Sequence, residues 1–408
     1  MSKLEELIQQ YCPDGVEYKT LEEVCEFRAG WGFPEVEQGL TEGKYPFYKV
    51  GDMNNSEMYM DTANNYISEE TSKKLKCKPA PKGTIIFPKI GATMNTNKKR
   101  ILTKPSCYDN NVMGQIAKSV NDRFLYYFFS QYKLIDFAKG TGAVPSLDTN
   151  RLKKLLIPIP PLPVQENIVR VLDTFTELQA ELQAELQKRL QQYNYYRDNL
   201  LTNFTPDKQV KEYSLGELGT FTRGNGLQKK DFTETGIGCI HYGQIYTRYG
   251  AFTEKTLTYV DDELASHLLQ VEKGDLVIAC TSENVEDICK CVAWLGEENI
   301  CTGGHACVFR HKQNPKYISY FFQTEYFFNQ KVKYTYGTKV KDIKPESLAK
   351  IKILLPSLEE QERIVSILDN LYTLTTDLSQ GLPAEIEKRR QQYEFYRDKL
   401  LTFKRKEA

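Results

Sequence analysis

The sequence predicts an α+β protein in which two small mixed α/β domains are separated by a long antiparallel two-helix coiled coil, with a pseudo-twofold internal repeat. Three observations predict it. Residues 162–202, LPVQENIVRVLDTFTELQAELQAELQKRLQQYNYYRDNLLT, return at 358–402 as LEEQERIVSILDNLYTLTTDLSQGLPAEIEKRRQQYEFYRDKLLT, with a shared Q-E-x-I-V-x-x-L-D start and Q-Q-Y-x-x-Y-R-D-x-L-L-T end. Both copies space apolar residues by threes and fours, the mark of one buried helical stripe. Each copy follows a stretch of short apolar runs and one aromatic-rich segment, the mix expected of a small α/β domain. The predicted boundaries are 1–160 for the first domain, 161–204 for the first helix, 205–357 for the second domain and 358–408 for the second helix.

In the first helix the stripe runs through Ile168, Val171, Leu172, Phe175, Leu178, Leu182, Leu186, Leu190, Tyr193, Tyr196 and Leu200. In the second it runs through Ile364, Ile367, Leu368, Leu371, Leu374, Leu378, Leu382, Ile386, Tyr393, Tyr396 and Leu400. Neither helix buries such a stripe alone, and prolines (Pro160 to Pro163, and Pro356) separate each from its domain, so the two are expected to pack on each other. Antiparallel packing is favoured because the second domain intervenes and carries the chain back. Residues 176–187 read TELQ-AELQ-AELQ, a unit recurring every four residues. At the matching level the second copy has Gly381 and Pro383, which are expected to break or kink it.

In each domain, strands are expected at 84–87 and 112–117, and again at 275–280 and 306–310. Aromatic-rich helices are expected at 123–139 and 317–332, their rings serving as core rather than as base-stacking platforms. Weaker echoes support the duplication: Leu21-Glu22-Glu23-Val24 with Phe27 and Gly30 answers Leu215-Gly216-Glu217-Leu218 with Phe221 and Gly224.

The chain has 408 residues, too many for one ordinary core and suited to two domains plus connecting elements. Lys plus Arg equals Asp plus Glu at 54 each, so no global positive field is present and any nucleic-acid affinity must be local or come from a partner. The start lacks the basic-then-apolar pattern of a secretory signal and no membrane-length apolar run occurs, so a cytoplasmic location is expected. The 10 cysteines are expected as buried reduced thiols; six crowd the second half near histidines, but no C-x-x-C pair suggests zinc. Phosphate-loop, nucleophile-elbow, metalloprotease and dinucleotide signatures are absent, as is an Asn-Pro-Pro-aromatic methyltransferase motif. With only 4 histidines, the chain is expected to carry no catalytic centre and no metal of its own.

Polar, glycine-containing loops rich in basic, amide and aromatic groups are the candidate binding elements, because phosphates and base edges are contacted by these groups. In the first domain they supply Lys49, Asn54 and Asn55, then Lys89, Asn95, Asn97, Lys98, Lys99 and Arg100. In the second they supply Arg223, Asn225, Lys229 and Lys230; His241, Tyr242, Gln244, Tyr246 and Arg248; Ser282 and Asn284; and Lys339 with Lys341.

With its two helical copies, above all QQYNYYRDNLLT at 191–202 and QQYEFYRDKLLT at 391–402, the chain resembles the specificity subunit of type I restriction-modification systems. The four-residue repeat resembles that family's spacer element. The resemblance implies two target recognition domains, each reading one half of a bipartite asymmetric site in double-stranded DNA, with the helical pair fixing the unread gap. It also implies two methyltransferase subunits docked on the helices, through the stripe residues and Arg197 and Arg397, which the two copies share, and a restriction subunit with translocase activity. S-adenosylmethionine, ATP and magnesium would then sit on those partners and none in this chain. The rival readings are a structural adaptor with duplicated protein-binding domains, and an enzyme with an unrecognised active site.

Overall fold

The computed structural model describes residues 3–139, 145–205, 210–376 and 381–407. They form two compact units, Met1–Glu181 with Ile386–Ala408, and Leu182–Glu385. Each unit therefore holds one mixed domain, one half of the first long helix and one part of the second copy.

In the first unit a five-stranded sheet runs in the order Cys25–Ala29, Val112–Ala117, Ile85–Pro88, Arg100–Leu102, Tyr59–Met60. A second sheet joins Tyr66–Ile67, Tyr45–Tyr48 and Cys107–Tyr108. The other unit repeats the plan with Gly219–Arg223, Ala306–His311, Leu276–Ala279, Cys291–Trp294 and Phe252–Thr253. Its second sheet joins Thr258–Val260, Ile237–Ile240, Ile300–Thr302 and Leu269–Val271. The central strands Ile85–Pro88 and Leu276–Ala279 are buried throughout, which is why they read as continuous apolar runs rather than as alternation. Each domain closes by pairing its first strand with its last: Glu17–Thr20 with Leu156–Ile159, and Lys211–Ser214 with Lys352–Leu355, both antiparallel.

The shared glycines have a steric cause. A Cβ on Gly30 would lie 1.9 Å from the Asp109 carbonyl oxygen, and one on Gly224 would lie 2.4 Å from that of Gly303, so only glycine fits either crossing.

The aromatic helices are core, but each is shorter than its sequence suggests. Asp122–Ser130 buries Phe124, Leu125, Tyr127, Phe128 and Phe129 and then stops, with Leu134–Phe137 continuing as a 3-10 turn. The break follows from competition for the backbone: the Asn97 side chain accepts from Leu134 N at 2.9 Å and Lys99 donates to Tyr132 O at 2.8 Å. In the second unit the expected helix is two, Pro315–Phe321 and Glu325–Tyr334, because the Thr324 hydroxyl caps the latter by accepting from Phe327 N at 3.2 Å.

The first long helix, Leu162–Thr202, is one uninterrupted run of 41 residues. The second copy is two helices, Leu358–Thr376 and Leu382–Leu400, so the break expected around Gly381 and Pro383 is present, with Pro383 in the first turn, where its missing N–H costs nothing. Within the first unit the start of the long helix meets the end of the second copy: Phe175 stacks on Tyr396 at 5.5 Å and touches Tyr393 at 6.5 Å. Within the other unit its end meets the start of the second copy, Tyr193 lying 6.0 Å from Tyr372. The pairing is therefore antiparallel. Ile168 and Leu172 belong to one domain core, Ile364 and Leu368 to the other, and Leu371 packs on the latter. Leu182, Leu186 and Leu190 are half-buried and Leu178 is exposed, while Leu378 lies outside the described residues. Among the described residues no helix is long and apolar enough to cross a membrane.

Candidate nucleic-acid interface

In the second unit the strand Ile237–Ile240 runs into a short helix, Tyr242–Thr247, that His241 caps: its Nδ1 accepts from Gly243 N at 3.1 Å. Burial, reinforced by the charges of Lys229 and His305, holds this imidazole below its usual range, which suits the unprotonated nitrogen that the cap needs. Gln244 Oε1 accepts from His241 N at 3.0 Å while its Nε2 donates to Thr258 Oγ1 at 3.2 Å. These side chains thus build the turn as well as edging a cleft of about 560 Å³ that Lys229, Phe232, Thr247 and Arg248 also line. The expected stretches 223–230 and 241–248 meet at this cleft, with Lys229 and Arg248 exposed on its wall.

Beside it Arg223 grips Asp342 through two hydrogen bonds of 2.9 and 2.7 Å. Burial opposes ionisation of Asp342, but the guanidinium outweighs it and holds the carboxyl below the usual range. Asp342 belongs to a two-stranded ribbon in which Thr281–Ser282 pairs with Lys341–Asp342, and Tyr246 donates to Thr281 O. Lys341 Nζ donates to Gly337 O at 2.8 Å, and Asn284 exchanges two bonds of 2.7 Å with Asp287. Tyr242 lies 5.0 Å from the His305 ring. Four separate candidate stretches are thus stitched into one surface, on which Asn225, Lys230 and Lys339 are exposed. Sequence reasoning missed His305 and Tyr336; the latter donates to Asp342 Oδ1 at 3.1 Å. The T-G-G-H run at 302–305 was the available signal.

In the first unit the equivalent turn is Val50–Asn55, begun by Lys49, whose N–H donates to Asp52 Oδ2 at 2.6 Å. Lys98 donates to Asn54 Oδ1, and Arg100 donates to Ser56 O at 2.8 Å and Met53 O at 3.2 Å, so the two expected loops form one surface. The cations are not equivalent, however. Lys99 is 4 % exposed, its ammonium held by Asn97 Oδ1 and Tyr132 O, both at 2.8 Å, and burial together with the charge of Arg397 brings it down to about 7. Arg100 and Asn97 are likewise turned into the fold by their bonds to backbone groups. Asn54, Asn55 and Asn95 are exposed, with Lys49, Lys89 and Lys98 half-buried. Phe33, which the loop reading missed, lies 5.6 Å from the Lys49 ammonium.

On the helices, Arg197 and Arg397 each lie over the tyrosine four residues earlier, at 5.5 Å from Tyr193 and 5.7 Å from Tyr393. Each also bonds the following aspartate, Asp198 at 2.9 Å and Asp398 at 2.8 Å. Tyr196 and Tyr396 are exposed, and beside them Tyr195 and Phe395 are 65 % and 63 % exposed. This aromatic pair recurs in both units. The stripe criterion misses Tyr195 and Phe395 because they point off the packed face.

Residues 13–192 and 207–388 each match the type I restriction modification DNA specificity domain. The chain is 32% identical over 301 residues to a putative type I restriction enzyme specificity subunit of Haemophilus influenzae, covering 70% of this chain and 73% of that protein. It is 30% identical over 315 residues to the EcoR124I/EcoR124II specificity subunit of Escherichia coli, covering 74% of each. The crystal structure of a type I S subunit from M. genitalium aligns with 95% of this chain and 96% of its own at 15% identity and a TM-score of 0.51. A chain from a structure of type I R-M complex assembly does so over 95% and 98%, at 14% identity and a TM-score of 0.57, and these two likenesses establish the shared fold. With both halves matched, the chain belongs to the family of type I restriction-modification specificity subunits.

Proposed function

We propose that each mixed domain reads one half of a bipartite asymmetric DNA site, and that the helical pair sets the gap between halves and docks two methyltransferase subunits. The observation that carries this is one scaffold with two chemistries. After equivalent strands, Lys49 and Asp52 make the same N–H to side-chain bond that His241 and Gln244 make, at 2.6 and 3.0 Å. The exposed groups that follow differ: Asn54 and Asn55 in one unit, Thr247 and Arg248 in the other. A conserved turn with altered side chains is what two readers of different base sequences require, since donors and acceptors in the major groove distinguish the base pairs.

The chain itself is non-catalytic in this reading. Methyl transfer to adenine, with S-adenosylmethionine, belongs to the docked methyltransferases, and ATP and magnesium belong to a restriction subunit. The balanced charge fits, because partners supply much of the phosphate contact while this chain supplies base contacts.

The test is co-expression with the neighbouring methyltransferase subunit in a host lacking other adenine methylation, followed by genome-wide mapping of N6-methyladenine. A single split motif with a constant gap is expected. An intact complex that leaves no motif overturns the reading in favour of a structural adaptor.

A further inference from the structure

The helix copies begin with a shared Gln and Asp eight residues apart, Gln165 with Asp173 and Gln361 with Asp369, and both pairs bond to the same place in their own domain. In the first unit Tyr127 donates to Asp173 Oδ1 at 2.6 Å, and Arg123 pairs with the same carboxylate. Gln165 accepts from Asn121 N at 2.9 Å and donates to Pro160 O at 2.7 Å. Asn121 in turn caps the aromatic helix, accepting from Arg123 N at 3.0 Å and Phe124 N at 3.1 Å.

The second unit repeats every bond. Tyr320 donates to Asp369 Oδ1 at 2.7 Å and Lys316 to Asp369 Oδ2 at 2.6 Å. Gln361 accepts from Asn314 N at 3.1 Å and donates to Pro356 O at 3.0 Å, and Asn314 caps its helix through Lys316 N at 3.0 Å and Tyr317 N at 3.1 Å. The pattern N-x-[RK]-x-x-x-Y meets Q-x7-D twice, with Arg and Lys exchanged, while the reading surfaces have diverged.

Two-residue joints connect each domain's last strand to its helix, between Leu156–Ile159 and Leu162–Thr202, and between Lys352–Leu355 and Leu358–Thr376. A joint that short is a pivot unless something spans it. Ile168 with Leu172, and Ile364 with Leu368, seat each helix start in its domain core; on that apolar seat the Gln ties down the joint and the Asp fixes the register about 12 Å further along the helix. Slipping a half-site by one base pair moves it about 3.4 Å along the duplex and turns it by about 34°. Only a domain that does not rock on its helix rejects that slip.

We propose that Asp173 and Asp369 are positioning residues that determine specificity for gap length, each by locking its domain's aromatic helix to the long helix. This rests on the function proposed above. The experiment maps adenine methylation by the complete complex carrying Asp173→Ala, Asp369→Ala or both. Expected are unchanged half-sites with methylation at gaps one pair longer or shorter raised about tenfold per altered clasp, the scale of one charge-assisted hydrogen bond. Arg123→Lys and Lys316→Arg, which exchange the two clasps' cations, are expected to keep the single gap. Asp variants that methylate with the wild-type gap alone overturn the proposal. Should they abolish methylation, Tyr127→Phe with Tyr320→Phe, which removes only the hydroxyls, decides in the same way. A wild-type complex that yields no split motif sinks the function itself, an outcome distinct from a fixed gap in the variants.

Discussion

In the proposed function, in which the helical pair sets the gap, the four-residue unit in the long helix is the most direct handle on it. Deleting residues 180–183, A-E-L-Q, leaves Leu178 followed four residues later by the former Leu186, so the leucine spacing of the stripe survives. Leu182, the apolar residue removed, is only half-buried, and the run Leu162–Thr202 is unbroken on both sides of the cut. Four residues correspond to about 6 Å of rise and a rotation about 40° beyond one full turn. On DNA, about 6 Å is nearly two base pairs at 3.4 Å each, whereas about 40° is close to the rotation of a single pair at 10.5 pairs per turn. The rise and the rotation therefore bracket the answer: the preferred gap shortens by about one to two pairs, while both half-sites stay as they were. Methylome mapping of cells carrying the deletion checks this. New half-sites with the old gap would show that the helix is not the ruler.

Three further outcomes are expected. Lys229→Ala and Arg248→Ala, on the wall of the second-unit cleft, should weaken DNA binding by the complex; where the lost contact is to phosphate, the log–log salt slope drops by about 0.9 per side chain, and where it is to a base, one position of that half-site relaxes. Tyr195→Ala combined with Phe395→Ala removes the exposed aromatic pair from both helix copies; the chain should keep its melting temperature but bind methyltransferase at least about 30-fold more weakly, as read by calorimetry, an effect the size of a hot spot losing about 2 kcal/mol. His311 is pushed down to about 4 by burial, against the opposing pull of Asp275, and its Nδ1 accepts from Gln313 N at 3.1 Å, which holds that nitrogen unprotonated. The unfolded chain takes up that proton near about 6.5, so the unfolded state holds more protons between the two values and stability falls as pH drops through that window, by on the order of 3 kcal/mol in full. Urea melts at neutral pH and below pH 5 should show His311→Phe losing less stability on acidification than the parent chain; equal losses would count against it.

What the sequence displays is what repeats or alternates. The helix copies, the buried strand Val112–Ala117 and the break before Leu382 follow from periodicity and from the backbone chemistry of Gly and Pro. Binding surfaces have no such signature. Lys99 and Arg100 read as surface cations in a basic run, but which carbonyls come within reach of a lysine or arginine depends on chain segments far away, here Tyr132 O and Ser56 O. The ribbon Thr281–Ser282 with Lys341–Asp342 has two residues per strand, too short for any alternation, and it is what gathers the second unit's candidates. The clasp is intermediate. Its Gln and Asp are visible as identities between the copies, whereas the Gln's asparagine lies 44 and 47 residues upstream and the Asp's tyrosine 46 and 49, partners recognisable only once the bonds are seen.

In the proposed function the clasp and the turn together let one scaffold carry two specificities. In the turn, the bond that shapes the backbone needs only an acceptor three residues on, and Asp52 or Gln244 serves equally. The fold therefore constrains the acceptor's position and leaves neighbouring side chains free to differ, as Asn55 and Thr247 do. The clasp has the opposite tolerance. A carboxylate that accepts from both a tyrosine hydroxyl and a cation cannot change without stranding a partner in a partly buried place, which costs more than an ordinary surface bond. Only the cation has varied, between Arg123 and Lys316, and either satisfies the charge. Divergence thus falls on the surface proposed to read DNA, and constancy on the joint proposed to hold that reader in register.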